Sequence, residues 1–487
     1  MKKKLLAILT ATLLIVTLIP MFAFPAFADD PEPTTDWGKL AVAIAGLTIE
    51  SNDAFTVSDE ASTKTRTIVL KKDITYESGA EILNQGYWNI VLDLNGYVLN
   101  RGLIGDNGTI TNNEFGCVIY ATSPGYTFTI EDGNNSTVHK FKILDSGLWV
   151  LDEENGTIVV NGGVITGGTG CYYNKMYIGG AIFAENSNII MNGGNIIGNQ
   201  SYIAGGIYSG RDLTIKNGAI RGNVAEYGAG VWSNLMPKSS EEAYKFTMNG
   251  GEITDNIAIG SVGGVYSGGN MYVSGKVIIK DNQAPEGKIQ NLAAGGYDFT
   301  GTTPVIYISD ALTGSEIYVT HSNNCGENNT GILTSGYLTK NPGAGLNDFF
   351  HYDGTKYAEL NEDNEIEVVN EEAFYVNIDQ TITNGIVKAS FNRAKEGDKV
   401  ILTVTADEGY ELDTLTVKDA DGKEVTVKDK AFSMPAKDVT VKATFKTVSK
   451  PDVPKTGDEN NMILWIVLAL AAAGLAVGTV LVKRTDR

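Results

Sequence analysis

"NIIMNGGNIIGNQSYIAGGIYSGRDLTIKNGAIRGNVAEYGAGVW", residues 188–232, states one pattern twice. Ile196 stands three places before Asn199, and Ile220 three places before Asn223. The pattern continues outward as "FTMNGGEITDN" (246–256) and "KVIIKDN" (276–282), with Ile253 before Asn256 and Ile279 before Asn282. Between these pairs falls a glycine motif closed by an aromatic: "GGAIF", "AGGIY", "GAGVW" and "VGGVY", ending at Phe183, Tyr208, Trp232 and Tyr266. The aromatics recur about every 25 residues, except where a polar segment, "LMPKSSEEAY" (235–244), lengthens one interval as an inserted loop. Runs of four or five alternating, β-branched residues between Gly and Asn-Gly turns predict short strands. Gly and Asn are expected where the backbone takes positive φ.

No unit of this length buries enough apolar surface to fold alone, so units must stack and share a column of Ile, Val and Leu. A parallel β-helix meets these conditions. A Greek-key sandwich lacks the fixed period, and a propeller needs about 40 residues per blade. "TIVLKKDI" (67–74), "IVLDLNGYVL" (90–99), "KFKILDSG" (140–147) and "GTIVVNGGVITGG" (156–168) read as earlier rungs, and "VIYISDALTGSEIYVTH" (305–321) as a later one. Trp37, Leu40, Ala41, Ile44 and Leu47 recur at helical spacing behind Asp36, an N-cap residue type. They predict a helix that covers the first rung within an N-terminal segment, 29–65. An open rung would expose strand edges. The span 66–370 resembles the right-handed parallel β-helix of bacterial surface proteins and polysaccharide-degrading enzymes. The expected class is all-β.

Residues 373–446 form a second module. Glu396-Gly397-Asp398, Glu408-Gly409-Tyr410-Glu411-Leu412, Phe432-Ser433-Met434-Pro435-Ala436 and the run Val439 to Phe445 carry a resemblance to the divergent internalin-type B repeat of bacterial surface proteins. Short alternating strands such as Val400-Leu402-Val404 predict a small all-β domain, a spacer or contact module.

The two ends concern export. Lys2, Lys3 and Lys4, an apolar stretch from Leu5 to Ile19 and Ala26-Phe27-Ala28 make the three-part plan of a signal peptide over 1–28, cut after Ala28. At the other end Met462 to Val482 holds no charge, and as a helix it would be about 31 Å long, near the ~30 Å of a bilayer core. The basic tail 483–487 is expected to stay cytoplasmic. In the linker 447–461 sits Val453-Pro454-Lys455-Thr456-Gly457. Motif, apolar span and basic tail together resemble the cell-wall sorting signal cut by sortases, with Val453 where the usual motif has Leu. The resemblance implies a sortase as partner: its cysteine attacks the Thr456 carbonyl, Gly457 leaves, and Thr456 passes to a peptidoglycan amine. Pro454 favours the extended backbone this requires. The expected location is the cell wall of a Gram-positive bacterium, with a transient stay in the membrane.

The chain carries 487 residues and a formal charge of −20, so nucleic acid is not an expected partner. Cys117, Cys171 and Cys325 are too few and too odd for a disulfide framework. Cys117 and Cys171 can pair if they lie on nearby turns; otherwise buried thiols are expected. No cofactor is expected. His321 and Cys325 form an isolated pair that gives no metal site. Pectin hydrolases on the resembled fold use clustered aspartates and a Gly-His-Gly element. Here Asp29-Asp30 is the lone Asp-Asp pair, and His139, His321 and His351 do not sit between glycines. A surface protein displaying a β-helix for binding a glycan or a host or matrix ligand is therefore the expected function, without enzymatic activity. A polysaccharide lyase or hydrolase and an inert stalk are the alternatives. Tyr177, Tyr202 and Tyr227 precede the glycine motif by five or six residues and are the candidate ligand-binding side chains, beside Tyr172 and Tyr173.

Overall fold

The computed structural model describes residues 33–448, apart from 78–81, 112–113, 234–243, 286–287, 289, 295–305, 322–330, 354–356, 370–372 and 392. The expected signal peptide 1–28, the expected sorting motif 453–457, the apolar span 462–482, the basic tail 483–487 and Cys325 lie outside the described residues. Among the described residues no helix is long and apolar enough to cross a membrane. The architecture is all-β, with a short helix at Asp36–Ile44 and one helical turn at Tyr337–Lys340.

One turn of the repeat is four short strands: Asn188–Met191, Asn195–Ile197, Gln200–Ile203 and Ile207–Ser209. Each pairs in parallel with its counterpart one turn later, so the sequence period becomes a ladder. In the first ladder Ile68, Leu92, Ile130, Met191, Ile215, Met248, Val273 and Ile308 fall in register. In the second, Ile196, Ile220, Ile253 and Ile279 align as their spacing predicts, preceded by Ile74, Leu99 and Ile165 and followed by Ile317. These side chains are essentially unexposed and form one continuous core. Alternation leaves the residues on either side facing outward.

The corners explain the Gly and Asn positions, and differently from the sequence expectation. Positive φ falls on the residue before each asparagine, at Gly198, Gly222, Asp255 and Asp281. The asparagines themselves point inward as a ladder. Asn199 Nδ2 donates to Asn223 Oδ1 at 3.0 Å, Asn223 to Asn256 at 2.9 Å, Asn256 to Asn282 at 2.9 Å and Asn282 to Asn291 at 3.1 Å. Each Nδ2 also reaches the carbonyl two residues back, so the amides cap the end of the second strand. At the next corner the backbones of successive turns nearly touch. A Cβ on Gly206 would lie 2.4 Å from the Gly230 carbonyl, and one on Gly230 2.6 Å from that of Gly264. Only glycine permits that approach.

Three expectations need correcting. The stretch 140–147 is not a rung, and of 156–168 only Val164–Thr166 joins the ladder: Val138–Ile143 pairs antiparallel with Trp149–Leu151 and Ile158–Asn161 in a separate three-stranded sheet. Its strands satisfy one another, and Phe141, Trp149 and Val160 pack against Val98, Val164 and Ile197 on the outside of the ladder. The capping helix is N-capped by Thr35, whose Oγ1 accepts from Gly38 N at 3.0 Å, with Asp36 as its first residue. It ends at Ile44, leaving Leu47 at 40% exposure. Trp37, Leu40, Ala43 and Ile44 cover Ile74–Thr75 and Leu83–Asn84. Finally, Cys117 and Cys171 are not free thiols. They are bonded, with Cα atoms 5.0 Å apart across 54 residues of sequence.

The second module pairs Phe374–Ile378 in parallel with Val439–Thr447, which runs antiparallel to Tyr410–Asp419. Gly385–Ala389, Lys399–Ala406 and Ala431–Ser433 form its other sheet. Val387, Val400, Leu402, Val417, Phe432 and Val441 fill a core of its own. It meets the end of the first body through a Lys395–Glu359 ion pair at 2.7 Å, Glu359 lying in an antiparallel sheet of Gly331–Ile332, Ile366–Val369 and Tyr357–Leu360 beyond the ladders, and Asn347 Nδ2 donates to the Ser390 carbonyl at 3.1 Å.

Candidate functional site

The third strand of each turn lies between the asparagine corner and the glycine corner, and both fix its direction. Gln200–Ile203, Val224–Tyr227 and Ile257–Ser261 stack in parallel, headed by the hairpin Cys171–Tyr173 and Met176–Ile178. Ile178 pairs with Ile203, so Tyr177 and Tyr202 occupy equivalent positions. Tyr227 does not join them in line. Its partner is Ile203, one place along, as its five-residue spacing to Trp232 implies against six for the others.

The rings therefore gather as two groups. Tyr202 and Tyr227 meet edge to face, with centroids 5.6 Å apart. Tyr177 stacks on Phe115 at 3.9 Å and touches Tyr172 at 5.4 Å. Tyr172 is 67% exposed, Tyr202 42% and Phe115 40%, and Ile259 two turns on is also exposed. Phe115 escapes a reading of the repeats because it precedes them. The signal is the cystine: Phe115 stands two residues before Cys117, and Tyr172 follows Cys171. The hydroxyl of Tyr202 titrates above its ordinary value, first through partial burial and then through Tyr227 and Glu226 beside it. A phenol is neutral at physiological pH and able both to donate and to accept.

The repeat aromatics behave differently. Phe183, Tyr208, Trp232 and Tyr266 form a register column on the fourth strand, with Phe183 stacked on Tyr208 at 5.3 Å and Trp232 on Tyr266 at 3.9 Å. Phe183 and Tyr208 are buried, so this half of the column is packing. His139 is buried between Glu153 and the Gly96 carbonyl at 2.8 and 2.9 Å, a structural placement. His351 stacks on Tyr318 at 4.5 Å. Among the described residues no group of three or more His, Cys, Asp or Glu stands close enough to hold a metal ion.

Two groups of aromatic faces with hydroxyl rims can hold flat, partly apolar rings. Residues 378–449 match the family model described as the divergent InlB B-repeat domain, so the second module carries a bacterial repeat domain. No curated protein and no solved structure matches the chain.

Proposed function

We propose that this is a cell-wall-anchored surface protein of a Gram-positive bacterium, which presents its stacked turns, as a right-handed parallel β-helix, to bind glycan. The observation that carries the reading is the exposed aromatic edge formed by Phe115, Tyr172, Tyr177, Tyr202 and Tyr227. Sugar rings stack their C–H faces on such surfaces while phenol hydroxyls bond their rims. Parallel ladders in one-turn register support the β-helix, and the ordered signal peptide, Val453–Gly457 motif, apolar span and basic tail support sortase attachment to peptidoglycan. A cystine suits an exported chain, since disulfides persist in oxidising compartments. The B-repeat domain then serves as the spacer between binding body and wall.

The test is retention of the full chain on a panel of immobilised glycans, with the soluble phase assayed for cleavage products. Tyr172→Ala combined with Tyr202→Ala should weaken retention on any bound glycan at least about tenfold, a loss of about 1.4 kcal/mol. Thermal unfolding should not change. Undiminished retention would remove the aromatic edge from the binding site. Released oligosaccharides would make the protein an enzyme.

A further inference from the structure

The stacked third strands carry a single charge. Among Cys171–Tyr173, Met176–Ile178, Gln200–Ile203, Val224–Tyr227 and Ile257–Ser261 the one charged residue is Glu226. Nearby sequence adds Lys175 at the hairpin turn and Glu114 beside Phe115. Glu226 is half-buried and makes no ion pair among the described residues.

Register puts this carboxylate in line with the tyrosines. Ile178 pairs with Ile203, and Ser201 and Ile203 pair with Ala225 and Tyr227, so Tyr177, Tyr202 and Glu226 follow one another on successive turns. At the spacing of neighbouring strands, the Glu226 backbone lies about 5 Å from that of Tyr202 and about 10 Å from that of Tyr177. The Tyr227 ring meets that of Tyr202 with planes at 78°, which makes two walls of a corner. On the next turn, a Cβ on Gly260 would lie 2.9 Å from Glu226 Oε1 and 3.0 Å from the Tyr227 ring. Carboxylate and ring therefore stand over the same glycine, where no side chain fills the space between them. The Tyr202 hydroxyl feels this carboxylate too: after burial and Tyr227, Glu226 helps to raise its titration.

We infer, resting on the glycan-binding reading, that Glu226 selects the ligand of this edge and that the ligand is a glycan with free amines, a chain of 2-amino-2-deoxyhexose units. An ammonium group beside Glu226 gains a charge-assisted hydrogen bond, and the faces of Tyr202 and Tyr227 attract the same cation. Exposed Tyr172 and Phe115 offer ring surface to the C–H faces of neighbouring sugars. The formal charge of −20 draws in a cationic chain and repels an anionic one. An oligolysine would meet Glu226 as well, but it has no ring to lay on the other aromatics.

Calorimetric titration of the purified full chain with a glucosamine hexasaccharide tests this, at mildly acidic pH where amines and carboxylates both carry charge. Its N-acetylated counterpart, equal in length and linkage, and an oligolysine of equal charge are the controls. The amine oligomer should bind at least about tenfold more tightly than the acetylated one, and rising salt should narrow the gap. Glu226→Gln should abolish the preference. Glu252→Gln, the same change of net charge on the second ladder, should preserve it, and both variants should unfold thermally as the wild type does. Equal binding of the two oligomers, or tighter binding of the acetylated one, would overturn the amine assignment and leave the glycan reading standing. Binding of neither would also overturn it, while the glycan panel decides the broader reading separately. Oligolysine binding as tightly as the sugar would make the edge a basic-peptide surface instead. A preference that survives Glu226→Gln would place the selection elsewhere in the acidic chain.

Discussion

Asn223 shows how much one side chain can hold. Its Nδ2 donates to Asn256 Oδ1 and to the carbonyls of Ile196 and Arg221, while its Oδ1 accepts from both the backbone and the side chain of Asn199. It is 0% exposed, so water cannot replace these partners. Each buried group left unpaired costs about 1–3 kcal/mol. Asn223→Ala should therefore lower stability in urea unfolding by at least about 2 kcal/mol. Asn217→Ala, at an exposed corner, should stay within about 0.5 kcal/mol. The sequence displays these asparagines at regular spacing, yet their role was not legible there. Asn commonly marks a turn by taking positive φ, and here the preceding Gly or Asp takes it instead.

The capping helix is the element whose attachment depends on charge. Arg66, 4% exposed, holds both carboxylate oxygens of Asp59 at 2.7 Å and donates to the carbonyls of Ala43 and Leu47 at the helix C-terminal end. The hydrogen bond from Arg66 is the main reason Asp59 titrates below the ordinary carboxylate value. A carboxyl depressed on folding stabilises fully above its unfolded pKa, about 4, and ceases to do so as pH falls through the folded value. Asp59→Asn should thus unfold at lower temperature than the wild type at pH 7, and the gap should narrow as both are acidified below about 4. A constant gap across that range would exclude the ion pair as its source. The helix itself was legible from Trp37, Leu40 and Ile44 at helical spacing. The antiparallel sheet built on 138–161 was not, because its strands alternate like rungs and nothing local says that they pair with each other. The aromatic edge was half legible: the repeats give Tyr177 and Tyr202, but Phe115 arrives through a cystine that sequence spacing left open.

At the scale of the whole molecule, the proposed attachment rests on one bond, the peptide after Thr456. Thr456→Ala should shift the protein from the purified peptidoglycan fraction to membrane or medium, read by immunoblot after muramidase digestion. Continued covalent attachment would mean that Thr456 is not the acyl donor. The same scale brings out what the ladder register does for length. Ser209 and Leu213 are joined by residues 210–212, whereas one turn later Ser233 and Phe246 are joined by 234–245. Even so, Ser209 faces Ser233 and Leu213 faces Phe246 without a slip. Pairing on each side is counted from its own strand, so the register does not depend on how many residues join the two. Such a corner works like an untranslated interval between two frames. It can be edited, lengthened or given a foreign peptide, and every rung above and below keeps its place.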